Sequence, residues 1–172
     1  MPTCPRCVLF ALLLGVLAFS GCDTNNPGSS LTEVQGVYAI TELSFNPDQP
    51  EVLADIDVLA GLRAGATIEV VGDGQAVVRF ERIGSASQLV IGTARATSRL
   101  VSVTARTDAD AGKLERILLP AAFSLNRDEV NANRLSANID VDGVDLEAYD
   151  PQYGSLNDVS GRLTITLHRT NP

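Results

Sequence analysis

GRLTITLHR, residues 161–169, alternates without a break. Leu163, Ile165 and Leu167 fall on one side, and Arg162, Thr164, Thr166 and His168 on the other. Successive side chains of an extended chain point to opposite faces, so this stretch reads as a strand with one buried face. The same period recurs upstream. In RLSANIDV, residues 134–141, Leu135, Ala137, Ile139 and Val141 alternate with Ser136, Asn138 and Asp140. In QAVVRFER, residues 75–82, Ala76, Val78 and Phe80 share one face while Arg79 and Glu81 share the other.

The rest of the chain from Gly36 onward follows this lead. Residues 36–45 are rich in β-branched and aromatic residues and run into NPDQP, a turn cluster. Residues 66–71 and 75–82 flank Gly72-Asp73-Gly74, whose glycines can take the positive φ of a tight hairpin. Residues 88–96 and 99–106 come next, the second ended by TDADAG, and residues 121–127 pair naturally with 134–141. With residues 144–149 as a further short candidate, the chain offers about eight strands.

Two pieces read as helical. Residues 58–62 make a short turn. Residues 112–119 put Leu114, Ile117 and Leu118 at i, i+3 and i+4, with Pro120 as a stop, although 114–119 also reads as a strand. Short strands with no long helices between them predict an all-β domain of antiparallel sheet. An up-and-down barrel would remove the exposed edges. A Greek-key β-sandwich satisfies the same pattern.

The N-terminus carries a different signal. Arg6 is the only charge before an apolar run at 8–19, and the small residues Ser20 and Gly21 lead to Cys22. This describes a secretory signal peptide, with an apolar run too short for a comfortable membrane span. Phe19-Ser20-Gly21-Cys22 resembles the lipobox of bacterial lipoproteins, in which the cysteine is lipidated and becomes the new N-terminus. The resemblance implies a signal peptide at 1–21, a lipidated Cys22 with a flexible tether at 22–35, and a β-barrel domain at 36–172. It places the protein in the cell envelope, anchored by lipid to the outer or the inner membrane. Cys4-Pro5-Arg6-Cys7 then belongs to the discarded leader and carries no metal or redox chemistry. Cys22 is the last of the 3 cysteines, so the domain must be held together by packing rather than by disulfides.

Two further stretches carry a second resemblance. Gly36-Val37-Tyr38 opens the first strand, and Leu163 to Arg169 closes the last. These resemble lipocalin-like domains, which begin with a glycine, one residue and an aromatic, and end with an arginine that crosses that aromatic. The resemblance implies a barrel-end pair of Tyr38 and Arg169, with Arg162 the less favoured substitute. A guanidinium over an aromatic face is worth about 0.5–2 kcal/mol. It also implies a barrel that can hold a small apolar ligand. The lining would then come from Ile68, Val78, Phe80, Leu135, Ile139 and Ile165, although the same residues would equally fill a solid core.

Charge and composition limit the chemistry. The chain of 172 residues carries a net charge of -8, which argues against nucleic acid and against an electrostatic grip on anionic lipid. His168 is the only histidine and sits among the threonines of its strand, with no nucleophile-elbow motif elsewhere. No catalytic residues, metal ligands or cofactor are expected. Residues 138–145 follow the opening of a calcium loop loosely, but its twelfth position is Tyr149 rather than a bidentate Glu. A strand ending in an Asp142-Gly143 turn is the simpler expectation. The sequence thus predicts a non-catalytic envelope lipoprotein that binds a small apolar ligand. The alternative is a structural or interaction module with a filled core and an envelope protein as partner.

Overall fold

The alternating segments are strands, and they pair in chain order around a closed barrel. A computed structural model describes residues 27–49, 53–154 and 156–170. Helix α1 spans Pro27–Val34 and leads into strand β1, Gly36–Pro47. After the two-residue β2, Ile56–Asp57, come β3 (Thr67–Val70), β4 (Gln75–Phe80), β5 (Gln88–Ala96) and β6 (Leu100–Ala105). Helix α2, Asp108–Glu115, precedes β7 (Ala122–Arg127) and β8 (Arg134–Val144). The short α3, Leu146–Tyr149, precedes β9, Val159–Arg169.

Every neighbouring pair is antiparallel, and β1 closes the circle on β9 from Tyr38–Arg169 to Pro47–Gly161, with an irregularity between Ile40 and Glu42. The other edge of β1 meets β3 at one end and β2 at the other. Leaving β2 aside, this is an up-and-down barrel of eight strands, the architecture of lipocalin-like domains. A sandwich is excluded by the closure. Period two dictates the core, because each strand delivers every second residue inward. Tyr38, Phe45, Ile68, Leu125, Leu135, Leu163 and Ile165 are all fully buried. Gly161 makes room for one of them, since a Cβ there would come within 2.7 Å of the Phe45 ring.

Both ends of the barrel are stoppered. At the end where β1 starts, α1 buries Leu31 and Val34. It is held by the Tyr38 hydroxyl, which donates to the Val34 carbonyl at 2.9 Å, and by an Arg127–Glu33 ion pair at 3.0 Å. Composition assigns residues 27–34 to the flexible tether; the structure makes them a packed helix, because Leu31 and Val34 form one apolar face that the barrel mouth shields from water. At the other end α3 buries Leu146 and Tyr149, and the Arg82 guanidinium lies 4.6 Å from the Tyr149 ring centre. Leu114, Ile117 and Leu119, from α2 and the turn after it, are also fully buried there.

Three local expectations change. The helix near 112–119 starts earlier, at Asp108, because the Thr107 side chain caps it by accepting from the Asp110 N–H at 3.1 Å. It ends when Leu118 adopts φ +59° and the Leu119 N–H reaches back to the Leu114 carbonyl at 3.1 Å. Residues 146–149 are helical rather than extended, because the Asp145 side chain accepts from the Ala148 N–H at 2.8 Å. Asp142-Gly143 does not end β8. It lies inside the strand as an irregularity between Val141 and Val144, with Gly143 at φ +65°. The leader, the CxxC and Cys22 lie outside the described residues.

Candidate functional site

The barrel wall has one weak seam. β6 and β7 ladder from Leu100–Asn126 to Thr104–Ala122, and β8 and β9 ladder from Arg134–His168 to Val141–Gly161. Between them, β7 and β8 pair only at Asn126–Ser136 and Arg127–Leu135. Beyond that point the two strands part. A 560 Å³ groove opens, floored by Phe123 and Ile139 and rimmed by Ser102, Ser124, Asn138 and Asp140. It continues at Asp140 into a second cavity of 780 Å³, within the usual range of ligand pockets.

The upper cavity lies between the segment joining α2 to β7 and the far end of β8. Leu118, Leu119 and Pro120 supply apolar wall, and Asp142, Gly143 and Asp145 face them. Leu118 is the one non-glycine with positive φ among the described residues, so the backbone is strained where the cleft is widest. The lining is acidic: Glu115, Asp140, Asp142 and Asp145 stand against Arg116 alone. Asp140 accepts from Arg162 Nε at 2.8 Å on the outer surface, and Asp145 caps α3. On the groove's rim the Ser102 and Ser124 hydroxyls are 2.8 Å apart, and Asn138 accepts from the Thr164 hydroxyl at 3.0 Å.

The residues singled out in the sequence lie elsewhere, with one exception. Ile68, Val78, Phe80, Leu135 and Ile165 are each at most 3% exposed and belong to one continuous core. None of them lines either cavity. Ile139 is half-buried, packs against that core and forms part of the groove floor. At the α1 end, Arg169 pairs with Tyr38 across β1 and β9, with its guanidinium 5.4 Å from the ring centre. Its Nη2 donates to the Gln35 carbonyl and, at 3.2 Å, to that of Glu33. Burial pushes the Tyr38 hydroxyl above its ordinary pKa, with the Arg169 charge pulling the other way. Arg162 is on the outer face with Asp140, and His168 is exposed on β9 beside Ala39 and Arg134.

The cleft is therefore built from residues that sequence reading passed over or filed as a turn. No sequence signal marks it: residues 122–125 of β7 are extended and ladder with β6, yet leave β8 unpaired beyond Asn126–Ser136. Comparison with protein-family models, curated proteins and solved structures finds no match to the chain.

Proposed function

We propose that this chain is a non-catalytic binding module, tethered to a cell-envelope membrane through a lipidated Cys22, with the cleft between β7 and β8 as its binding face. The observation that carries this reading is the contrast, among the described residues, between a packed, doubly stoppered interior and the opening in the wall between β7 and β8. The net charge of -8 opposes adhesion to anionic lipid, so attachment would rest on acyl chains. A small apolar ligand inside the barrel is the weaker reading, because the side chains that would line its cavity pack on one another.

Site-specific photocrosslinking in intact cells tests the binding face. A benzophenone side chain at Ser124, on the cleft rim, should capture a partner. The same group at Thr93, exposed on β5, should not. Equal labelling from both positions, or a lipid released when the purified domain is denatured, would overturn the assignment. Fractionation tests the tether separately: Cys22→Ser should move the protein from membranes to the soluble fraction, and continued membrane partition removes the anchor.

A further inference from the structure

The cleft is bounded by two strand edges with backbone groups to offer. In β7, Arg127 donates its N–H to Arg99 and Ala121 accepts from Ala105, so the odd residues address β6. The even residues, Ala122 and Ser124, therefore turn their N–H and C=O groups toward β8. In β8, the Arg134 carbonyl accepts from Asp128 and the Asn133 carbonyl before it accepts from Arg169. The even residues of β8, Asn138 and Asp140 among them, therefore turn toward β7. The ladder between these edges stops at Asn126–Ser136, so both present open positions to the cleft. Such an edge is a template for another strand.

From this geometry we infer that the cleft takes an extended peptide segment of a partner protein, inserted as a strand between β7 and β8, with basic and apolar residues in alternation. This inference rests on the cleft being the binding face. The free length of β7, from Ala122 to Leu125, matches about four residues of an added strand at roughly 3.3 Å each. Alternation follows from the two faces of the wall. Phe123 and Ile139 offer an apolar floor to side chains pointing in. Asp142 is exposed on the other side, with Glu115 across the cleft, and these carboxylates call for cations on the side chains pointing out, whereas Asp140 already has Arg162. A second copy of this chain fits poorly, since its own net charge is -8.

The test uses the purified chain and a peptide, Lys-Val-Lys-Val-Lys-Val, labelled with fluorescein at its N-terminus and amidated at its C-terminus so that neither terminus is charged, with free fluorescein as the control. Saturable binding by fluorescence anisotropy is expected, with amide exchange at Ala122, Ser124, Asn138 and Asp140 slowed at least tenfold in the complex. N-methylation of alternate backbone nitrogens keeps every side-chain charge but removes ladder donors, and should weaken binding at least tenfold. Asp142→Lys should also weaken it tenfold or more. An N-methylated peptide that binds equally well reduces the contact to charge attraction and overturns the inserted strand, as does binding that leaves those amides unprotected. Dimerisation of the chain through the cleft, seen by sedimentation, also overturns it. Absence of peptide binding alongside crosslinking from Ser124 defeats the peptide while sparing the binding face. Absence of both defeats the two together.

Discussion

At the scale of the residue, Gly36 shows how a single position can hold one end of the barrel. Its φ is +145°, a conformation that side chains rarely adopt, and a Cβ there would lie 2.9 Å from the Arg169 Nε. Both facts follow from where Arg169 must run: across the Tyr38 ring and up to the carbonyls of Glu33 and Gln35. Gly36→Ala should therefore destabilise by more than about 1 kcal/mol, outweighing the gain of about 0.4–1 kcal/mol that a compatible replacement brings, because it combines backbone strain with displacement of the guanidinium. Equilibrium urea unfolding measures this. A variant of unchanged stability would mean that Arg169 can leave the mouth without consequence. Tyr38 and Gly36 were legible in the sequence as a pair through the resemblance to lipocalin-like domains, whose motif there is local. The carbonyls that receive Arg169 were not, because Glu33 belongs to a helix the composition hides and Gln35 directly follows it.

At the scale of the element, that helix is the clearest departure from a leash. Eight residues are too few for a stable isolated helix in water, so α1 persists only through what it covers. Leu31→Ala and Val34→Ala should each lower stability by about 2 kcal/mol or more, the usual loss for a buried aliphatic truncated to alanine. Urea midpoints unchanged by either substitution would restore residues 27–34 to the tether. The strands were readable because alternation is written residue by residue, and β9 and β8 declare their buried faces without reference to any partner. α2 and α3 were less so. Their caps, Thr107 and Asp145, are single side chains that select helix over strand once the chain has turned a corner. The cleft was hidden for a related reason. Asp140 and Asp142 look like solvent-facing strand residues, and nothing local to them shows that β7 and β8 part beyond Asn126–Ser136.

At the scale of the whole molecule, titration links the stoppered ends to stability. Asp110 has its pKa held below the usual 3.8, first by the hydrogen bond from the Thr107 hydroxyl and then by that from Lys113. Asp128 is held low by the backbone N–H groups of Asn131 and Val130. A carboxyl whose folded pKa is depressed stabilises the fold above its unfolded value, and that contribution is lost as pH falls through the folded one. Tyr38 and Tyr149 are shifted the other way, raised above 10.0 chiefly by burial and only partly offset by Arg169 and Arg82. A hydroxyl with a raised pKa leaves stability intact below its unfolded value, and the fold weakens as pH climbs through the folded one. Stability plotted against pH should therefore be limited on the acid side below about pH 4 and on the alkaline side above about pH 10. The two limbs belong to different groups, carboxyls on the acid side and tyrosines on the alkaline side, which makes them separable. Asp110→Asn should lessen the slope of the acid limb, leaving the share of Asp128, and leave the alkaline limb unchanged. Tyr149→Phe keeps the ring that Arg82 covers but removes the proton, so it should lessen the slope of the alkaline limb alone, leaving the share of Tyr38. Urea midpoints measured from pH 2.5 to 11 decide this. If Tyr149→Phe leaves the alkaline limb as steep as before, the α3 stopper has already opened before the tyrosine ionises, and that end of the barrel is the first to yield.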